Sequence, residues 1–263
     1  MVKDKKDKEI FFVSTPFHLI NSTIIALSKA NDTGSILIFI DQPENNENPY
    51  SSIISNWKNS PFEKIYKFES KEGNSIKKYN FRKRILNEIS ELVNDIRPDT
   101  IYTGNDRRIE FIRAYKESIK LNPDCRCHYV DDGLHSYVLF KYAWENPLEI
   151  LIKRIFYGFW YQRHQVVGGS TFLDKAYLSF PDYSHQLLND KKKYQIDFSL
   201  MKRKEYIRFN KIVLDFFNLK IPYIRQLDIV LILPHHKELK MFNSVYKQLK
   251  ELVVELASKN YVI

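Results

Sequence analysis

Cys127-His128-Tyr129-Val130-Asp131-Asp132-Gly133 is the stretch of this sequence that decides the fold. A short, mainly apolar run ends at two adjacent carboxylates and a glycine, which is typical of a buried strand leaving the edge of a sheet. Gly133 permits a sharp exit with a positive φ. Open α/β sheets bind ligands at the carboxyl ends of their strands, so the acidic pair is a candidate site. The alternative is a strand followed by an ordinary Asp-Gly turn.

Strands of the same character precede and follow this stretch. They are continuous apolar runs rather than alternating ones, as expected of strands buried on both faces of a parallel sheet. The predicted strands are 10–14, 36–40, 65–68, 100–103, 127–130 and 176–181, and the predicted helices between them are 16–27, 53–57, 76–96 and one ending near residue 121. This alternation predicts a doubly wound, mainly parallel α/β sheet.

The domain organisation follows from where this pattern stops. Residues 1–181 are predicted to form one complete Rossmann-like domain, and the polar residues 182–203, with three consecutive lysines, are typical of a linker. Residues 204–263 contain two helical segments, one strand and the beginning of another. Because so few strands cannot build a sheet with a sizeable core, the second domain is expected to be incomplete.

Composition narrows the class of protein. The chain has 263 residues, is 44% hydrophobic and carries a net charge of +9, which favours anionic partners. Nucleic acid is disfavoured, because the basic residues are dispersed and no nucleic-acid motif occurs. Cys125 and Cys127 are too close for an easy disulfide, which predicts reduced thiols and a cytoplasmic protein. The charged start of the chain predicts neither a signal peptide nor a membrane span.

An amphipathic segment at residues 147–163 combines a broad apolar and aromatic face with Lys153, Arg154 and Arg163. Such a helix is expected either in a protein core or at the surface of an anionic membrane. Both interpretations stay open at the level of sequence.

Several motifs occur in a fixed order along residues 10–181. They are Thr15-Pro16-Phe17-His18-Leu19, the segment 99–106, Asp131-Asp132-Gly133, the segment 172–177 and Phe180-Pro181. In this order they resemble bacterial sialyltransferases of the lipooligosaccharide and polysialic-acid type, which carry an acidic-acidic-Gly motif that Asp131-Asp132-Gly133 fits.

The resemblance implies a GT-B architecture, in which two Rossmann-like halves face each other across a cleft. It implies transfer of sialic acid from CMP-sialic acid to a surface glycan such as lipooligosaccharide or capsule, with inversion and without a metal or cofactor. Asp131 would be the general base that deprotonates the acceptor hydroxyl, and Asp132 would hold or polarise the site. General base catalysis contributes roughly 10²–10⁴-fold.

One feature of that family is missing from the sequence. The family's second motif is a His-Pro pair whose histidine acts on the leaving phosphate, and no His-Pro dipeptide occurs here. Residues 260–263 resemble the start of the strand that carries it, so the chain is expected to be truncated before the motif and inactive as it stands. The alternatives are a non-catalytic remnant that binds only the acceptor, and a relative that uses another sugar donor.

The remaining site residues are assigned by position. Substrate binding is assigned to Gly133, Thr15, Pro16, Asn105, His135, His235 and His236. Three assignments have structural alternatives: Asn105 as a helix cap, and the two C-terminal histidines as a polar loop. The expected partners are a glycan acceptor, a sugar nucleotide and the inner face of an anionic membrane, with no nucleic acid.

Overall fold

The computed structural model describes residues 7–29, 33–43, 49–70, 75–142, 146–162 and 165–216, together with Lys247, Lys250, Glu251, Val254 and Glu255. The chain divides into two compact units, Met1–Asn210 and Lys211–Ile263. All of the strands and most of the described helices belong to the first unit, so the fold given below is that of Met1–Asn210.

A seven-stranded parallel sheet forms the centre of this unit. Its strands are β1 (Asp7–Val13), β2 (Thr33–Pro43), β3 (Phe62–Ser70), β4 (Thr100–Thr103), β5 (Arg126–Val130), β6 (Lys175–Leu178) and β7 (Lys192–Gln195). Their order in space is β3-β2-β1-β4-β5-β6-β7. This is the doubly wound Rossmann order extended by one strand, and it confirms the predicted α/β fold.

Six α-helices accompany the sheet in the described part of the chain. They are α1 (Pro16–Lys29), α2 (Pro49–Ser55), α3 (Ser75–Ile96), α4 (Ile109–Leu121), α5 (Pro147–Tyr157) and α6 (Lys204–Phe216). Thr15 caps α1, because its Oγ1 accepts a hydrogen bond from His18 N at 3.2 Å, and Pro16 occupies the first helical position. The predicted start of this helix is therefore confirmed.

Successive side chains of a strand point to opposite faces of the sheet. In this sheet the side chains on both faces are buried. Ile10 and Ile38 face the core that α3 and α4 cover. Phe11 and Tyr102 belong to an aromatic row on the other face, where their rings stack at 4.3 Å. This row explains why the strands are continuous apolar runs in the sequence.

The segment predicted as a linker, residues 182–203, lies inside the first unit. Residues Lys192–Gln195 form β7, which pairs with β6 at the edge of the sheet. Leu188 and Ile196, on either side of β7, are buried. The polar composition of the segment reflects a half-exposed edge strand, and the compact unit reaches Asn210 instead of ending at residue 181. The residues expected to begin a second sheet, 228–234 and 261–263, lie outside the described residues.

Helix α5 has an exposed apolar face. It contacts α3 through Phe156, whose ring stacks on that of Tyr79 at 4.7 Å. Four of its apolar side chains are exposed, Leu148, Leu151, Ile152 and Ile155, with Ile155 67% exposed, and Phe159 just beyond the helix is 81% exposed. The interpretation of the helix as a core element is therefore wrong for this face. Among the described residues, no helix is both long enough and apolar enough to cross a membrane.

Candidate active site

The candidate site lies at the point where the strand order reverses. β1 and β4 are neighbours in the sheet although two strands separate them in sequence. The crevice at the carboxyl ends of such strands is the usual place for a ligand in this fold. Three turns converge there, residues 14–16 after β1, 104–106 after β4 and 131–133 after β5, and side-chain contacts join them.

Asp131 is fully buried, and its carboxylate accepts three hydrogen bonds. Oδ1 accepts from Gly133 N at 2.9 Å. Oδ2 accepts from Ser179 N at 2.9 Å and from the Tyr137 hydroxyl. Burial, and then the bond to Asp131, raise the pKa of Tyr137 to about 12, so this hydroxyl remains a donor. The side chain therefore ties the end of β5 to the end of β6.

Asp132 has a different environment. Its side chain is 12% exposed, and its Oδ1 accepts from Nε2 of His18. Its Oδ2 has no hydrogen-bond partner within the part of the chain that the structure describes. Ser136 Oγ accepts a hydrogen bond from the Asp132 backbone N at 2.9 Å and fixes the turn. One oxygen of Asp132 is thus held by the protein, and the other is available to a ligand.

Gly133 and the start of α1 lie side by side. Gly133 has a φ of 71°, so the sharp exit expected from the sequence is confirmed. A Cβ added to it would lie 3.8 Å from the ring of Phe17. Thr15 and Pro16, which begin the same helix, are exposed beside this contact. These predicted substrate-binding residues therefore lie on one side of the acidic pair.

Asn105 and Asp106 shape the turn after β4, and neither caps α4. Asn105 Oδ1 accepts from Arg107 N at 3.1 Å, which closes an Asx turn. Asp106 is fully buried and accepts from Gly168 N at 2.8 Å and from Ser170 N at 2.9 Å. The backbone of Arg108 is the N-cap of α4. The helix-cap interpretation of Asn105 is therefore wrong, although its side chain still faces a cavity.

That cavity is basic and aromatic. Its volume is about 290 Å³, near the lower limit for pockets that hold small molecules. Its walls are formed by four cationic side chains, one carboxylate, three tyrosines, an isoleucine and the predicted site residue: Arg82, Arg107, Arg108, Lys153, Glu110, Tyr142, Tyr157, Tyr161, Ile109 and Asn105. The Arg107 guanidinium lies 3.5 Å from the centre of the Tyr142 ring. The excess of positive charge suits an anionic ligand.

His135 lies between the acidic turn and this basic cavity. Its Nε2 is 3.5 Å from the Tyr142 hydroxyl, and its ring contacts that of Phe140 edge-on. Its contacts are therefore with the aromatic wall of the cavity. His235 and His236, the other histidines assigned to substrate binding, lie outside the described residues.

Sequence reasoning missed three contributors to this site. In the sequence, His18 stands out only as a member of the motif Thr15-Pro16-Phe17-His18-Leu19, and Tyr137 and Ser179 belong to no motif. The sequence feature that could have indicated His18 is its position in the first turn of the helix that follows β1, because this turn borders the crevice. Nothing in the sequence indicates Tyr137 or Ser179, because Tyr137 reaches Asp131 through the 3-10 turn that follows β5, and Ser179 reaches it from the residue after β6.

The comparisons with known proteins give one family. The family model described as Alpha-2,8-polysialyltransferase (POLYST) matches residues 9–260. No curated protein matches the chain.

Three solved structures are similar to the chain at low identity. A UDP-N-acetylglucosamine 2-epimerase is 14% identical with a TM-score of 0.41, covering 72% of this chain and 46% of its own. The UDP-N-acetylglucosamine 2-epimerase of Rickettsia bellii is 11% identical with a TM-score of 0.42, covering 82% and 52%. The alpha/beta-galactoside alpha-2,3-sialyltransferase of Photobacterium phosphoreum is 12% identical with a TM-score of 0.46, covering 85% and 61%. The chain thus spans about half the length of the structures it matches.

Proposed function

Because the chain belongs to the alpha-2,8-polysialyltransferase family, we propose that it transfers sialic acid from CMP-sialic acid to a sialylated surface glycan. The observation that carries this proposal is a partly exposed carboxylate at the switch point of the sheet, Asp132, three residues before His135, whose ring lies beside Tyr142 in the wall of a basic cavity. Acceptor deprotonation needs a carboxylate within reach of a hydroxyl. An acceptor that carries sialic acid is anionic and suits the cavity.

The environments of the two carboxylates support a division of roles opposite to the one that the resemblance implies. Asp131 is fully buried and accepts three hydrogen bonds from the protein, so in this conformation a substrate hydroxyl does not reach its oxygens. Asp132 has an oxygen without a partner among the described residues and is partly exposed. We therefore assign the general base to Asp132, and to Asp131 the task of holding the turn that presents it.

The acceptor is assigned to the basic cavity. Asn105 lines it one residue after Gly104, the residue that contacts His18 beside Asp132. Arg107 is stacked on Tyr142, which reduces the side-chain entropy lost when a carboxylate binds. An arginine held in this way suits the carboxylate of a sialic acid residue. The donor is assigned to residues 204–263, where His235 and His236 remain candidates, and the reaction is proposed to need no metal.

The test combines acceptor binding with transfer. Oligosialic acid is titrated into the chain by calorimetry, and CMP release and product mass are followed after CMP-sialic acid is added. Asp132→Asn should keep acceptor binding and lower kcat by about 10²–10⁴-fold. Asp124→Asn is the control and should match the wild type. Asp124 is an exposed carboxylate just before β5, at the amino-terminal end of the strand and away from the crevice.

Two results would contradict the proposal. If Asp132→Asn keeps more than a tenth of the wild-type turnover with acceptor saturating, Asp132 is not the base. If the wild type binds oligosialic acid but releases no CMP from any preparation, the chain is an acceptor-binding remnant. Turnover with another sugar nucleotide, and none with CMP-sialic acid, would identify a relative that uses a different donor.

We also propose that α5 attaches the protein to an anionic membrane surface. Its exposed apolar side chains adjoin the first turns of α3, which carry five basic residues and no acidic one before Glu88: Lys77, Lys78, Arg82, Lys83 and Arg84. The stacking of Phe156 on Tyr79 joins the two helices. Burial of each large apolar side chain contributes up to about 1.5–3 kcal/mol, and each nearby basic residue contributes about 1 kcal/mol at an anionic surface.

Flotation with liposomes tests this attachment. The wild type should float with vesicles of phosphatidylcholine and phosphatidylglycerol, and should not float with phosphatidylcholine alone. An Ile155→Asp/Phe159→Asp variant should stay soluble in both cases, whereas Ile207→Asp, a change at a 55% exposed position on α6, should float like the wild type. Two results would contradict attachment through α5. One is equal flotation of all three proteins. The other is a dimer, detected by light scattering, that the wild type and Ile207→Asp form and the α5 variant does not.

A further inference from the structure

His18 is a buried imidazole that contacts two different segments of the candidate site. It is 2% exposed and lies in the first turns of α1. Its Nε2 meets Oδ1 of Asp132, and its Nδ1 lies 3.3 Å from Oγ of Ser14. Ser14 follows β1 and Asp132 follows β5, so one ring connects the ends of two strands.

The chemistry of the partners fixes the direction of these hydrogen bonds. An ionised carboxylate can only accept, so Nε2 must carry the proton that is donated to Asp132. In the neutral ring Nδ1 is then an acceptor, and Ser14 is the group that can donate to it. The chain of donors therefore runs from Ser14 to His18 to Asp132, and it occupies one of the two carboxylate oxygens.

Gly104 provides the space for this ring. A Cβ added at Gly104 would collide with the imidazole of His18. The φ of Gly104 is not positive, so an L-residue could adopt the same backbone. Glycine is therefore required here by the proximity of the ring rather than by conformation. A larger residue would displace the imidazole from Asp132, since the flexible side chain moves more easily than the strand end.

We propose that His18, supported by Ser14 and seated on Gly104, is the positioning residue of Asp132. The inference rests on the proposed function and deepens it. In the transfer step, the acceptor hydroxyl gives its proton to Oδ2 of Asp132. The acceptor oxygen bonds to the anomeric carbon of sialic acid while the bond from that carbon to the CMP phosphate oxygen breaks, and CMP leaves with the electron pair. His18 keeps its proton throughout and holds Oδ1.

Steady-state kinetics of four variants test the positioning role. His18→Ala should lower kcat for transfer by about 10–100-fold, the effect of losing one hydrogen bond to a charged group, and should leave the acceptor KM unchanged. His18→Gln should recover most of the loss, because its side-chain amide can donate from a position near that of Nε2. Gly104→Ala should act like His18→Ala, and the double variant should be no worse than His18→Ala alone.

The double variant separates positioning from simple damage to the fold. If the losses from Gly104→Ala and His18→Ala multiply, the glycine does not act through the ring, and the proposal fails. A rise in KM at unchanged kcat would equally overturn it, because that result would assign His18 to acceptor binding. The melting temperatures of all variants are also measured. If His18→Ala melts far below the other variants, His18→Gln takes its place in the comparison with Gly104→Ala.

Spectra of ¹⁵N-labelled histidine give a readout that does not depend on activity. His18 should show the Nε2–H tautomer, and Asp132→Ala or Gly104→Ala should shift it towards a mixture of tautomers. If the wild type transfers no sialic acid but the tautomer depends on Asp132, the positioning contact holds and the proposed function fails. If the wild type is active and its tautomer is unchanged by Asp132→Ala, the positioning proposal fails alone.

Discussion

Replacing the two carboxylates by amides should separate stability from catalysis. The exchange of Asp131 for Asn acts on a fully buried group that accepts three hydrogen bonds. The exchange of Asp132 for Asn acts on a partly exposed group with one partner. We expect the first variant to be destabilised and the second to fold normally and lose turnover.

The magnitude follows from the donors around Asp131. Gly133 N faces Oδ1, whereas Ser179 N and the Tyr137 hydroxyl face Oδ2. An amide can present its oxygen to only one of these sides, so at least one buried donor would face an NH₂ group. Losing a hydrogen bond to a charged group costs about 1.5–3 kcal/mol. The two remaining bonds become weaker, and the smaller desolvation cost of an amide offsets part of the loss. The free energy of unfolding should therefore fall by about 2–4 kcal/mol.

The corresponding change at Asp132 should be small. Its Oδ1 accepts from His18, and the amide oxygen of Asn can accept the same bond. Because the buried donor of His18 keeps an acceptor and the site is partly exposed, stability should change by less than about 1 kcal/mol. The loss of the basic carboxylate should nevertheless lower kcat by about 10²–10⁴-fold.

Urea unfolding followed by circular dichroism measures the first quantity, and CMP release measures the second. The unfolding midpoint of Asp131→Asn should fall at an unchanged m-value, which shows that the compactness of the two states is the same. If both variants unfold at the wild-type midpoint, the hydrogen bonds of Asp131 do not contribute as the geometry requires. If Asp132→Asn is the destabilised variant, the assignment of roles is reversed.

Three further predictions concern burial and charge. Burial lowers the pKa of His128 from 6.5 to about 4. Between these pH values the unfolded state therefore binds more protons than the folded state, so the free energy of unfolding should fall by up to about 3 kcal/mol as the pH drops from 6.5 to 4. The acid unfolding curves of the wild type and of His128→Phe should differ in this pH range. Asp106→Asn should lower the free energy of unfolding by about 2–4 kcal/mol, since one donor from the Gly168 loop loses its acceptor, and a wild-type midpoint in urea would contradict this. Arg107→Ala should weaken oligosialic acid binding by about 10–100-fold and reduce its dependence on salt, and unchanged calorimetric affinity would remove the cavity from the acceptor site.

The apolar runs of the sequence were sufficient to predict the first six strands and the α/β class. They failed at β7, because Lys192–Gln195 has no apolar run, although it pairs with β6 along one edge. An edge strand with one neighbour and an exposed face needs little apolar surface, so its signal in the sequence is weak. The same polar composition led to the prediction of a linker.

The sequence indicates where the candidate site lies, but it does not indicate the contacts within it. A carboxylate pair at a strand end identifies the crevice, because parallel strands of this fold end at one edge. Which carboxylate is buried depends on Tyr137 and Ser179, which fold back onto Asp131 from other segments. The partner of Asp132 is 114 residues away in sequence. Contacts of this kind follow from the three-dimensional path of the chain, and local patterns do not contain them.

The two glycines of the candidate site illustrate how much its geometry depends on the sheet. Gly133 is required by its backbone, since its φ of 71° lets the chain turn after Asp132. Gly104 is required by its neighbour, since the imidazole of His18 occupies the place of a side chain. Each glycine follows a different strand, and β4 and β5 are adjacent. The imidazole is carried by α1, which follows β1, so its distance to the carboxylate after β5 is set by the pairing of β1 with β4 and of β4 with β5. A perturbation of β5 far from the crevice should consequently change turnover before it changes acceptor binding, because several residues of the acceptor cavity follow β4 instead.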